Sequence, residues 1–332
     1  MPTNDMTLID HPAGRDTALY PVFEDLKLNR YRVVKEVLAE TGHNWQLRTF
    51  RSQVIALYAA HSRAIDYWHQ EEPTNPDALM MWARVLTQRM FHLQRPANDP
   101  VVINAANQAR RACHAAIRAC QQCPVAWVCL LALAQFDADP RYKQDAAEHW
   151  APSQTVDALP EGPWPLLWAV RQRDPENREA YQRMLQFFYA CGGGAHVFAQ
   201  WTAMRAGECS MLHMPPLYAY AEDFRRRRNS HQTSDFMYWN DQQIRHYVQR
   251  ARDGWFTYLD ADTRSSPALS IDLNLLAYAL TMSGVEGAGP VFEAIGPYAT
   301  AMPWQNLVPR SNWAEDFHQA RAYALDQQPA SR

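Results

Sequence analysis

Apolar residues recur along most of this chain at intervals of three and four, the spacing that lays them along one face of an α-helix. LRTFRSQVIALYAAHSRAIDYWHQ, NPDALMMWARVLTQRMFHLQ and NQARRACHAAIRACQQC all carry the pattern. So does SDFMYWNDQQIRHYVQRARDGWFTYL, where Phe236, Ile244, Tyr247, Val248, Ala251, Trp255 and Tyr258 define a single apolar stripe. No stretch alternates apolar and polar β-branched residues for long enough to predict a sheet. Prolines fall between the helical stretches, at Pro73, Pro76, Pro100, Pro124, Pro140, Pro175, Pro215, Pro216 and Pro303, where they start or stop helices. The expected fold is all-α, on the order of a dozen helices with short connections, as antiparallel neighbours require.

The pattern also predicts an organisation. Residues 1–19 read as a flexible N-terminal tail and 327–332 as a second tail. Residues 20–150 form an N-terminal helical region and 166–326 a C-terminal one. The Pro-rich seam 151–165, within APSQTVDALPEGPWP, is either a linker or a long loop between helices.

Serial helix pairs invite a search for repeats. In DPENREAYQRMLQFFYACGGG, Asp174-Pro175 is followed by Tyr181, Met184, Phe188 and Gly192, and a second helix, AHVFAQWTAMRA, runs to Gly207. This spacing resembles a tetratricopeptide repeat. Toward the C-terminus Leu273, Leu276, Ala277, Leu280 and Gly284 fit a first helix, and Ala288, Phe292 and Pro303 fit the second with a one-residue slip. Ala112, Ala116, Ala119 and Pro124 echo a second helix alone. The match departs from the family where close helix contact calls for small residues, since Leu185, Val197 and Met204 stand there, and Cys209 replaces the trailing proline. The resemblance implies antiparallel hairpins stacked as a right-handed solenoid. It also implies a protein or peptide partner, as in family members that sit in larger regulatory assemblies.

Composition narrows the function classes. Among 332 residues, 47% are hydrophobic and 20% charged, which fits a folded globular chain rather than a disordered one. A net charge of −3 provides no basic field to favour nucleic acid or an anionic membrane. Lysine occurs only at Lys27, Lys35 and Lys143, a skew that reads as GC-rich, bacterial coding rather than function. The 12 tryptophans are expected to fill cores or supply binding anchors. MPTNDMTLIDHPAGRD lacks the basic start and apolar block of a secretory signal. The uncharged, strongly apolar stretch CQQCPVAWVCLLALAQF is shorter than the roughly 20 apolar residues of a membrane span. The expected location is cytoplasmic.

Candidate chemistry is sparse. Gly192-Gly193-Gly194 follows a helix and lacks the strand and Gly-Lys-Ser/Thr ending of a phosphate loop, so it reads as a positive-φ turn. Cys113, Cys120, Cys123 and Cys129 lie close together in sequence, and Cys120-Gln-Gln-Cys123 is a C-x-x-C. Four thiolates could hold zinc or an iron–sulfur cluster, but only one close pair is present, and the alternative is buried thiols acting as small hydrophobes. His61 and His69, with Glu71 and Glu72, could share a helix face and ligate a metal, without an HExxH pattern. Glu148-His149 are adjacent and diverge on a helix. Asp137-Ala-Asp139 and Asp260-Ala-Asp262 lack the Gly and Glu of a calcium loop and read as caps of the following helices. Arg225, Arg226, Arg227 and Arg228 form the one dense basic run, a candidate for an acidic partner or phosphate, or a solvated block complementing a helix C-terminus. Glu222, Asp223 and Asp235 dilute its field.

The expectation is therefore a non-enzymatic helical-repeat protein that binds a protein or peptide, with no cofactor, no membrane and no nucleic acid favoured. Its alternative is an all-α metal-dependent or redox enzyme, or an accessory to one, using the Cys113–Cys129 cluster or His61 and His69. A weaker third is a nucleic-acid-binding regulator using Arg225–Arg228.

Overall fold

A computed structural model of the chain describes residues 6–137, 159–229, 235–305 and 312–327. Every regular element among them is helical, as the periodicity requires. Asn44, Asn75, Asp99, Asn177, Asp241 and Asn312 each accept a backbone N–H at a helix start. Pro76 and Pro100 occupy first-turn positions, where a missing N–H leaves no gap in the ladder.

The described chain divides into two compact units, Asp16–Phe198 and Ala199–Arg332 with Met1–Arg15. The first contains α1 (Tyr20–Lys27), α2 (Arg32–Thr41), α3 (Trp45–Ala59), α4 (Ala64–Glu71), α5 (Pro76–Phe91), α6 (Pro100–Ala119), α7 (Val125–Leu133), α8 (Trp164–Arg171) and α9 (Arg178–Ala190). The boundary falls inside α10 (Ala195–Arg205). The second unit contains α11 (Pro215–Asn229), α12 (Asp235–Trp239), α13 (Gln242–Gly254), α14 (Ala261–Arg264), α15 (Ser270–Ser283), α16 (Ala288–Ile295), α17 (Ala301–Trp304) and α18 (Trp313–Asp326).

In the first unit α5 lies at the centre, packed on α3, α4, α6 and α7, while α7 also meets α8 and α9. Trp164, Phe188 and Phe198 form an aromatic cluster with ring centroids 5.5–6.0 Å apart. In the second unit α15 and α16 form a hairpin turned at Gly284, whose φ of 63° is the left-handed geometry glycine accepts without strain. Trp239, Tyr278, Trp304 and Phe317 follow one another edge to face at 5.3–5.5 Å. Much of the tryptophan complement is thus core: Trp68, Trp164, Trp239, Trp255 and Trp304 are fully buried.

The triple glycine is a corner between α9 and α10, with Gly192 at φ 79° and Gly194 at φ 93°. A Cβ on Gly194 would come within 2.7 Å of the Pro160 ring, so both backbone sign and space demand glycine there. Val197 and Met204, at positions where the repeat family wants small residues, are 46% and 70% exposed and make no close helix contact.

The described residues add detail to three of these readings. In the segment read as a tail, the described residues 6–19 are tied down: the Ile9 N–H donates to Pro297 O at 2.9 Å, and Arg15 donates to the carbonyls of Arg264, Ala294 and Ile295. Asp16, 3% exposed, accepts two bonds from Arg51 at 2.8 and 2.9 Å. Secondly, the segment carrying the Phe236–Tyr258 stripe is divided after Trp239, because the Asp241 carboxylate caps a new helix through Gln243 N and Ile244 N. Ile244, Val248, Ala251 and Trp255 still form a buried face, but Tyr258 lies half exposed beyond it. Thirdly, of the 151–165 seam only 159–165 is described, and it runs straight into α8 with Leu159 and Trp164 buried. Asp260 caps α14 through Thr263 N at 2.7 Å, as its position predicts. Asp139, Glu148 and His149 lie outside the described residues.

Candidate functional site

The ends of five helices in the first unit border one cleft of about 280 Å³. Leu38 and Ala39 come from the end of α2, Trp45 and Arg48 from the start of α3, and Pro76, Asp77 and Met80 from the start of α5. Ala116 and Ala119 close it from α6, Cys120 and Cys123 from the following turn, and Ala126 from α7. The mixture of apolar wall and few placed polar groups is that of a ligand pocket. Three helix N-termini meet here, so the partial positive ends of α3, α5 and α7 point toward the same region.

Arg48 organises the cleft. It is 6% exposed, and one terminal nitrogen donates to Leu38 O at 2.9 Å and to Gly42 O at 3.2 Å. The other pairs with Asp77. Those carbonyls belong to the end of α2 and Asp77 to the first turn of α5, so a single guanidinium joins two helices to its own. Its Nε–H has no hydrogen-bond acceptor in the structure. His43 and Trp45 stand at the rim, rings 5.0 Å apart.

The four cysteines do not form one ligand set; among the described residues no three His, Cys, Asp or Glu side chains converge as a metal ion would need. They split into two pairs. Cys113 and Cys129 are fully buried where α6 meets α7 and hydrogen bond to each other. Around them Arg84, 3% exposed, is paired with Glu179, 2% exposed, through two hydrogen bonds. Arg183 adds a third contact to Glu179 at 2.8 Å. Burial alone would hold the Cys129 proton on. The bond from Cys113 and the charge of Arg84, 3.7 Å from the sulfur, outweigh it and bring Cys129 down to about 7. Cys113, buried and beside that sulfur, is raised well above an ordinary thiol. The expectation of cysteines as small buried hydrophobes fits Cys113 only sterically, and not Cys120, which is partly exposed.

His61 and His69 do not meet. His61 stacks on His92 at 4.8 Å, and His69 stacks on Trp82 at 4.1 Å, its pKa lowered by burial. Glu71 accepts from the Tyr31 hydroxyl, and Glu72 pairs with Lys35 at 2.6 Å. The four side chains are thereby held by four different partners.

The arginine run ends α11, and two carboxylates of the same helix offset part of its charge. Arg225 and Arg226 both donate to Glu222 at 2.6–2.7 Å, and Arg227 pairs with Asp223 at 2.9 Å while lying over the Tyr238 ring. These i, i+3 and i, i+4 pairs offset part of the charge that an anionic partner would read. Arg228 is half-buried.

Sequence reasoning missed His43, Trp45, Arg48 and Asp77. Asn44 and Asn75 cap the two helix starts, but nothing local in the chain signals that the two starts meet. No family model, curated protein or solved structure matches the chain. No described helix is long and apolar enough to cross a membrane.

Proposed function

We propose that this chain is a non-enzymatic helical-repeat protein that binds a protein or peptide, with tetratricopeptide-like stacking of its hairpins as the framework and the α2–α3–α5–α6–α7 cleft as the entry point for a partner side chain. The observation that carries this reading is the cleft itself, with an aromatic rim at His43 and Trp45 over an apolar wall and the Arg48–Asp77 pair below. Rim aromatics of this kind supply rigid contact area at low entropic loss, which is why they recur as binding anchors. Succession of α3, α5 and α7, each packed on the next, and the α5–α6 and α15–α16 hairpins support the repeat framework.

Affinity capture on the full chain tests it. Wild type retains a partner that Trp45→Ala releases with at least a roughly tenfold loss of affinity, the size expected of an aromatic anchor. Charge reversal at Arg226 and Arg227 leaves retention unchanged. Capture indifferent to Trp45→Ala, with the fold intact by circular dichroism, would overturn the assignment of the cleft.

A further inference from the structure

The turn between α6 and α7 holds two thiols in a geometry that neither packing nor metal binding uses. Cys120 caps α6 with extended backbone, φ −144° and ψ 92°. The N–H of Cys123 then donates to Cys120 O at 3.3 Å. That bond closes a β-turn, whose end Cα atoms lie within about 7 Å. A disulfide spans Cα atoms about 4.4–6.8 Å apart, so the turn sets the pair at a separation compatible with one.

The turn is held from outside. Arg173 donates to Gln121 O inside the turn and to Ala169 O on α8, and its guanidinium lies over the Trp127 ring at 4.8 Å. Access is asymmetric: both cysteines border the cleft, but Cys120 is partly exposed whereas Cys123 is only 4% exposed. The same cleft brings a cation to the pair. Arg48, 6% exposed, borders that cleft and hydrogen bonds the Cys123 side chain. Its positive charge acts on the Cys123 sulfur.

We propose that Cys120 and Cys123 are a reversible dithiol–disulfide pair that exchanges with an external disulfide admitted by the adjoining cleft. Cys120, the accessible sulfur, attacks as thiolate on one sulfur of R–S–S–R. A Cys120–S–R bond forms, the external S–S bond breaks, and the departing RS⁻ takes up a proton. Cys123 then loses its proton to solvent and attacks the Cys120 sulfur, expelling the second RS⁻, which is protonated in turn. The balance is two cysteine thiols plus one external disulfide giving one intramolecular disulfide plus two external thiols. Two electrons pass to the external disulfide, and no further oxidant is needed.

The chemistry of the two thiols suits this order. Burial pushes Cys123 up to about 11, against the Val125 N–H and the Arg48 charge that pull it down. It therefore stays protonated until the mixed disulfide forms beside it, and serves as the resolving group. This reading stands apart from partner binding, since it needs only the turn and its cleft.

The test uses the full chain incubated with oxidised glutathione, quenched by alkylation and mapped by peptide mass spectrometry. Wild type is expected to form the Cys120–Cys123 disulfide. Cys123→Ser and Cys123→Ala are expected to accumulate glutathione on Cys120, and Cys120→Ser is expected to take up none in the turn. Cys191 and Cys209, both exposed, are internal controls for indiscriminate reaction. Free Cys120 and Cys123 in a sample whose Cys191 is modified would overturn the proposal, as would a mixed disulfide on Cys120 that persists in wild type. A parallel arm with disulfide-bonded insulin separates the sources: exchange with glutathione alone assigns a small disulfide, exchange with insulin assigns a protein disulfide, and exchange with neither refutes the site.

Discussion

Cys113 and Cys129 face each other across the body of the α6–α7 hairpin, while Cys120 and Cys123 occupy the turn that joins the same two helices. The first pair is sealed in the core and answers to charge. Arg84 and Arg183 against the one carboxylate of Glu179 leave a positive charge in excess, and ionising Cys129 offsets it. The second pair borders open space, and there burial of Cys123 wins over the nearby guanidinium. Proximity to an arginine therefore does not decide the state of a thiol. At Cys129 the hydrogen bond from Cys113 and the Arg84 charge together outweigh burial, whereas at Cys123 the Val125 N–H and Arg48, already paired with Asp77, do not.

The largest effect comes from breaking the charged end. Glu179→Ala strands Arg84 in the core and is expected to cost about 3–5 kcal/mol, the range for removing one partner of a buried pair. Urea unfolding measures it, and a loss below about 1 kcal/mol would mean that water reaches Arg84. The same site predicts a pH dependence. Burial would raise the Glu179 pKa, but Arg84 and Arg183 outweigh it and hold the carboxyl below its ordinary value. A depressed carboxyl contributes stability above the ordinary carboxylate range and loses it as pH falls through that range and below. Wild type should accordingly lose stability on acidification more steeply than Glu179→Gln.

The next effect sharpens the contrast in accessibility. Cys113 and Cys129 have no exposed surface, so alkylation must wait for an opening of the hairpin. With an opening free energy of about 3 kcal/mol or more, their labelling is slowed by a factor on the order of 100 relative to Cys120. Timed labelling with iodoacetamide, read by mass spectrometry, checks the ratio. Comparable rates for Cys113 and Cys120 would erase the distinction between the pairs.

Local physics explains what could be read from the chain beforehand. Helices were legible because Asn75-Pro76-Asp77 or Asp99-Pro100 is a start signal complete within three residues. Gly192 and Gly284 were legible as corners because a left-handed residue after a helix is a local demand. The break at Asp241 was not legible because apolar residues recur at helical spacing on both sides of it. The dilution of the Arg225–Arg228 run by Glu222 and Asp223 was legible because both lie only one turn away. Neither cysteine environment could be read, because Arg84 and Glu179 are 95 positions apart and Arg48 and Asp77 are 29 apart. Only packing brings them together.

The smallest effect concerns how the cleft end is held. Asn75 accepts the N–H groups of Asp77 and Ala78 at 2.8 and 3.3 Å and so fixes the first turn of α5, from which Asp77 reaches Arg48. Asn75→Ala removes this cap and should lower stability by about 1 kcal/mol, measured as a shift in the urea midpoint. Because α5 also packs along its length on α3, α6 and α7, the core pair should not notice. Labelling of Cys113 and Cys129 should slow or quicken no more than this global loss dictates, while Cys123, beside Arg48, should gain reactivity beyond it. An equal change at both pairs would show that the helix start and the core are one cooperative piece, and that the two cysteine environments are not independently set.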